Sequence, residues 1–228
     1  MKYQAAIFDL DGTLIDSLAD LADSVNEMLA GRGFAEHTID EYRYFVGNGS
    51  RKLIERALPQ EKSADPAYVD DAMAEYKECY ARRLLNKTKP YDGIHEMLAT
   101  LASEGVPMGI CTNKHQSAAD AIVGKLFPEG LFTDVIGDRD GLPRKPDPKK
   151  VLMIAEHMGV KPEHVAYFGD TSVDMDTAHN AGFFPIGVLW GFRPKEELVE
   201  HGAGVLISTP LELFKKVKFR KTFGPWAL

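Results

Sequence analysis

Asp9 and Asp11 stand two residues apart, after the short apolar run Ala5-Ala6-Ile7-Phe8 and just ahead of Gly12. Side chains alternate along a strand, so carboxylates at i and i+2 share a face if the strand geometry lasts to Asp11. Gly12 then lets the chain bend sharply. Two acids side by side are costly to keep ionised, and a bound cation offsets that cost. The arrangement suits the reactive loop of a magnesium-dependent phosphoryl-transfer centre. Asp-x-Asp-Gly also occurs in ordinary turns and in calcium loops. A calcium loop counted from Asp9 needs a Glu at its twelfth position, where this chain has Asp20.

The elements around the loop alternate. A helical pattern of Leu18, Leu21, Ala22, Val25, Met28 and Leu29 follows Ser17, a candidate N-cap, and stops near Gly31. Thr38-Ile39-Asp40-Glu41 reads as a capping box. Further helical spacing carries Leu53, Ile54, Ala57 and Leu58, then Val69, Ala72, Met73, Tyr76, Tyr80 and Leu84. Residues 86–93 form a polar connector bearing Pro and Gly. Beyond it, apolar strand-like runs at 106–111, 135–137, 165–168 and 185–189 alternate with helical spacing at 94–102, 117–126, 148–158 and 173–181. Such alternation implies βαβ units and a parallel sheet. The expected fold is α/β, a Rossmann-like doubly wound, mainly parallel sheet with an all-helical domain inserted after the first strand. The core takes residues 1–16 and 90–228, and the insertion residues 17–89.

Ligands of such sheets sit beyond the carboxyl ends of the strands. Asp9 and Asp11 end the first, Thr112 and Asn113 the second, and Gly169 and Asp170 a later one, with Asp174 four residues on. Polar and acidic groups at three strand ends point to one site, with the insertion lying over it.

Composition narrows the partners. The chain has 228 residues, 44% hydrophobic and 27% charged, and a net charge of −7. That charge argues against nucleic acid. No apolar stretch reaches the ~18 residues of a membrane span, and the N-terminus has no secretory pattern. Cys79 and Cys111 form no metal-binding pair and are expected to be buried thiols in a reducing, cytoplasmic setting. The lysine-rich tail from Lys215 to Leu228 reads as a solvated end rather than a nucleic-acid arm.

Asp9-Leu10-Asp11-Gly12-Thr13, Thr112-Asn113, Lys145-Pro146 and Gly169-Asp170-Thr171-Ser172-Val173-Asp174 resemble, in this order, the motifs of haloacid dehalogenase superfamily hydrolases with a helical cap. The resemblance implies that Asp9 is the nucleophile, forming an aspartyl-phosphate, and that Asp11 is the acid and base. It implies Mg2+ held by Asp9, the Asp11 main-chain carbonyl and Asp170, with Asp174 ligating through water or orienting the site. Thr112, Asn113 and Lys145 would hold phosphate, and Thr13 would orient Asp11 by a hydrogen bond. An acid at position 11 favours phosphate esters over C–Cl or C–P cleavage. A phosphonatase would also need a cap lysine, for which Lys52 is better read as a solvated helix residue.

The cap should select the ester. Gly47, Asn48, Gly49 and Arg51 place a glycine loop and a guanidinium at a helix start, a candidate anion site. Phe45–Gly49 and Val188–Arg193 resemble the phosphoglycolate phosphatases of the superfamily. That implies a small phosphorylated metabolite as substrate, 2-phosphoglycolate, and a monomer or homodimer. A β-phosphoglucomutase-like enzyme, a pyrophosphatase or nucleotidase, and a phosphate-binding module without turnover are the alternatives. Trp190 and Phe192 read as core packing at a strand end.

Overall fold

The computed structural model describes residues 2–220. The tail residues beyond Arg220, Lys221 among them, lie outside it. Six parallel strands form the main sheet: β1 (Ala5–Phe8), β4 (Met108–His115), β5 (Asp134–Asp138), β6 (Val165–Gly169), β7 (Phe184–Val188) and β8 (Val205–Ile207). Their spatial order is β5-β4-β1-β6-β7-β8, so β1 lies in the interior. A second, two-stranded ladder pairs β2 (Ile15–Asp16) with β3 (Lys89–Pro90) antiparallel. The helices are α1 (Leu18–Gly31), α2 (Ile39–Phe45), α3 (Ser50–Ala57), α4 (Gln60–Ser63), α5 (Pro66–Arg83), α6 (Ile94–Ser103), α7 (Gln116–Leu126), α8 (Lys149–His157), α9 (Ser172–Ala181), α10 (Lys195–Glu200) and α11 (Leu213–Lys216).

The strands read as unbroken apolar runs because both faces of the sheet are covered. On β1, Ala6 and Phe8 pack with α6 and α7 through Leu98, Leu101 and Ile122. Ala5 and Ile7 pack on the other face with α8 and α9 through Val151, Ile154 and Ala178. β6 alternates in the same way, with Ala166 and Phe168 on the first face and Val165 and Tyr167 on the second. The two strands run side by side in register, Phe8 opposite Phe168. Both therefore deliver their next residues, Asp9 and Asp170, to the same edge of the sheet.

Helices α1, α2, α3 and α5 build a separate apolar cluster, including Val25, Tyr42, Ile54 and Tyr76, which Phe192 joins from beyond β7. The chain enters this helical segment through β2 and leaves it through β3. Asp20, buried in the first turn of α1, accepts hydrogen bonds from the Lys87 and Thr88 N–H groups and the Thr88 hydroxyl at 2.7–3.1 Å. Its carboxylate thus ties the outgoing chain to the returning one. The Thr38 N–H and hydroxyl both donate to Glu41 at the start of α2, at 2.7 and 2.8 Å. α1 ends at Gly31, with Arg32 as its C-cap. Ser17 occupies its N-cap position but makes no side-chain capping bond; its hydroxyl serves Asp11 instead. Among the described residues, no helix is long and apolar enough to cross a membrane.

Candidate active site

Asp9 leaves the end of β1 buried, its Oδ1 accepting from the Leu10 N–H at 2.7 Å. One carboxylate oxygen each from Asp9, Asp170 and Asp174 lies within 4.8 Å of the others, and all three residues are buried. Two glycines make the approach possible. Gly12 sits at φ +81°, and a Cβ there would strike the Asp170 carboxylate. A Cβ on Gly191 would strike the Asp170 side chain and the Gly12 carbonyl. Asp170 accepts from the Phe192 N–H at 2.8 Å and the Thr13 hydroxyl at 3.1 Å. Asp174 is a helix residue of α9 that bonds back to the Thr171 N–H and hydroxyl.

Lys145 is the counter-charge. Its ammonium, buried, lies 2.9 Å from Asp9 and 2.7 Å from Asp174, with the Tyr167 hydroxyl at 3.2 Å. Burial alone would discharge the amine, but Asp174 and Asp9 outweigh it and hold its pKa well above the usual lysine value. One ammonium does not balance three carboxylates. Burial pushes the Asp9 carboxyl up, against the pull of Lys145, and Asp174 adds repulsion. Asp170 is raised by burial and then by Asp174 and Asp9. Oxygen-only donors, a deficit of positive charge and an opening to a solvent-sized cavity fit a hard divalent cation, which takes a few carboxylates and several waters.

The cavity above Asp9 measures about 350 Å³. Its floor is Asp9, Asp11, Thr112 and Asn113, and its roof comes from α1, α3 and α5. Asn113 binds the floor to the roof. Its Nδ2 donates to the Gly47 and Lys145 carbonyls, each at 3.2 Å, and its Oδ1 accepts from the Lys145 N–H at 2.9 Å. Asp11 faces Lys114, whose Nζ lies 2.9 and 3.0 Å from its two oxygens, and accepts from the Ser17 hydroxyl at 2.5 Å.

Several sequence expectations meet a different geometry. Thr13 does not bond Asp11. The tight turn at Leu10–Ile15 points its hydroxyl at Asp170, while Asp11 turns to Lys114 and Ser17. Gly47 and Gly49 line the cavity, but Asn48 and Arg51 do not. Arg51 pairs with Glu55 one turn along α3 and with Asp70 of α5, on the exposed side of the helices. Asn48 accepts from Arg56 at 2.8 Å. Phe192 lines the cavity as well as packing against the helical cluster, and the Trp190 indole N–H donates to the Thr13 carbonyl at 3.0 Å.

Sequence reasoning missed Lys114 and Lys150. Lys114 follows Thr112-Asn113 directly, so its place at a strand end was its signal. Lys150 is fully buried and donates to the Thr112 carbonyl at 2.9 Å, holding that loop from beneath. Beside the exposed Lys149 on α8 it carries no sequence signal.

Residues 6–188 match the sequence profile of the haloacid dehalogenase-like hydrolases. A phosphoglycolate phosphatase of Psychrobacter arcticus is 34% identical over 87% of this chain and 88% of its own length. One from Pseudomonas putida is 36% identical over 82% of this chain and 70% of its own. A crystal structure from Lactobacillus delbrueckii subsp. bulgaricus, provisionally named a phosphoglycolate phosphatase, superposes with a TM-score of 0.86. It shares 31% identity and covers 96% of this chain and 99% of that one.

Proposed function

The chain belongs to the haloacid dehalogenase-like hydrolase family, and on that premise we propose that it is a phosphatase converting 2-phosphoglycolate to glycolate and phosphate. The observation that carries the chemistry is Asp9. It stands at the carboxyl end of an interior strand, at the floor of a cavity, beside two further buried carboxylates and one buried ammonium. The names of relatives at about 34% identity support the choice of substrate.

The Asp9 carboxylate attacks phosphorus in line; a carboxyl–phosphorus bond forms as the ester P–O bond breaks. Asp11 gives its proton to the departing alkoxide, then takes one from the water that attacks the aspartyl-phosphate. Phosphate leaves and both side chains return to their starting states. Thr112, Asn113 and Lys145 hold the phosphoryl oxygens, and Lys145 also favours the ionised form of Asp9 against its burial. A magnesium ion held by the Asp9 and Asp170 carboxylates and the Asp11 main-chain carbonyl, with Asp174 behind them, would screen the phosphate from the nucleophile and offset charge in the transition state. Residues 17–89 act as a cap over the core formed by 1–16 and 90–228, excluding water while the ester is bound. The two buried, unpaired cysteines support a cytoplasmic setting.

Phosphate release from a panel of esters, with and without magnesium and beside Asp9→Asn, tests the proposal. Magnesium-dependent release that is fastest on phosphoglycolate and lost in the variant is expected. Faster turnover of pyrophosphate or a nucleotide would replace the substrate. Conversion of β-glucose 1-phosphate to glucose 6-phosphate without phosphate release would make the chain a mutase.

A further inference from the structure

With Arg51 committed to Asp70 and Glu55 on the outside of the helices, the carboxylate of a phosphoglycolate molecule needs another partner. Among the fully buried side-chain oxygens and nitrogens of the described residues, one without a partner belongs to a cavity-lining residue. Tyr80, on α5, is 7% exposed and lines the cavity, and its hydroxyl makes no hydrogen bond among the described residues. A buried hydroxyl left unpaired is destabilising, so a ligand that accepts from it recovers that cost.

Lys114 stands beside it. The ammonium lies 4.9 Å from the centre of the Tyr80 ring and bonds both oxygens of Asp11. An ammonium carries three N–H groups, so a donor remains for a ligand. Because Lys114 touches the group assigned as proton donor to the ester oxygen, an anion meeting both Lys114 and Tyr80 sits only a short carbon span beyond that oxygen.

The remaining lining agrees in sign. Asp9 and Asp11 are its only acids among the described residues, and Lys77 adds a second cation at the mouth. Leu21, Val46, Leu53, Ala81 and Leu84 give the roof apolar surface beside Ser50 and Tyr76.

We propose, resting on the phosphoglycolate reading above, that Tyr80 with Lys114 determines specificity: the phenol hydroxyl and the remaining ammonium N–H receive the carboxylate of the substrate's alcohol half. Two esters of equal carbon length separate the roles. Phosphoglycolate carries the carboxylate, and ethyl phosphate does not. The experiment measures kcat and KM of the wild-type enzyme and Tyr80→Phe on both, with magnesium, and the thermal unfolding of each protein without substrate.

The expected result is a ratio of kcat/KM, phosphoglycolate over ethyl phosphate, that falls on the order of tenfold in Tyr80→Phe, chiefly through a higher KM for phosphoglycolate. Unfolding of the unliganded variant should occur at the wild-type temperature or above it, because the hydroxyl removed had no partner. Equal losses on both esters, or a lower unfolding temperature, would make Tyr80 a structural residue and overturn the inference. A wild-type preference for phosphoglycolate that survives in Tyr80→Phe overturns this inference and leaves the substrate reading standing. A wild-type enzyme that does not discriminate between the two esters overturns both.

Discussion

Lys145 decides the charge balance of the site with a single side chain. It is the ammonium between Asp9 and Asp174, so Lys145→Met leaves two buried acids facing each other. Removing one partner of a buried ion pair costs about 3–5 kcal/mol, and urea unfolding without divalent metal should show a loss of that order. Magnesium should recover part of it, since a cation replaces the missing charge. A variant as stable as wild type in metal-free buffer would mean that Asp9 and Asp174 are not both ionised in the fold. Asp11 offers a kinetic counterpart. On 4-nitrophenyl phosphate the leaving group departs without a proton, so Asp11→Asn should still form the aspartyl-phosphate. The second step then lacks the base proposed for it and should slow by about 10²–10⁴. Stopped-flow absorbance should then show a burst of one equivalent of nitrophenolate before a slow steady rate. A steady rate equal to wild type, with no burst, would remove Asp11 from the hydrolytic step.

At the scale of elements, the start of α2 carries a pH dependence of its own. Hydrogen bonds from the Thr38 N–H and hydroxyl, then from His37, lower the Glu41 carboxyl to about 2. A carboxyl whose folded pKa is depressed contributes stability above its unfolded value of about 4.3 and loses it as the pH falls toward the folded value. Wild type should therefore exceed Glu41→Gln in urea midpoint near neutrality, and the gap should close between about pH 4.5 and pH 2. A gap that stays constant over that range would show that the capping geometry, not the charge, does the stabilising. The neck is a second element-scale device. Asp20→Ala strands two buried donors of Thr88 and a half-buried one of Lys87, so a loss of about 3 kcal/mol is expected in the same assay. The contrast between these two devices explains what the sequence disclosed. The capping box is local, and its Thr-x-x-Glu spacing was legible. So were the runs at β1 and β6, because strands covered on both faces have no polar alternation to disguise them. Asp20 entered the sequence reading only as the residue standing where a calcium loop needs Glu, since its partners lie 67 and 68 positions away. β2 and β3 have two residues each, too few for any period to register. The direction of Arg51 is not legible for a related reason: it pairs with Asp70 on α5, and no pattern within 47–51 carries the packing of α3 on α5.

Across the whole molecule, the carboxylate cluster is a product of topology. Asp9 and Asp170 are 161 positions apart in the chain, and they meet because β1 and β6 are parallel neighbours in register. Asp174 joins them because the first turn of α9 starts where β6 ends. Two glycines from distant loops remove the side chains that would keep Asp170 away. The sheet therefore holds repelling groups together, and the repulsion opposes folding where no cation offsets it. A ligand that binds only the folded state stabilises it by about 2.7 kcal/mol at a hundred times its dissociation constant. Magnesium should accordingly raise the unfolding temperature, and a chelator should reverse the shift. Asp170→Asn separates the two halves of the argument. It removes a charge from the cluster, so without metal the variant should unfold at or above the wild-type temperature. On the proposed assignment it also removes a cation ligand, so the magnesium-dependent shift should shrink or vanish. Thermal unfolding of both proteins across a magnesium titration decides the matter. A variant that is less stable without metal and keeps the full shift would mean that the cation binds elsewhere and that Asp170 serves the fold alone.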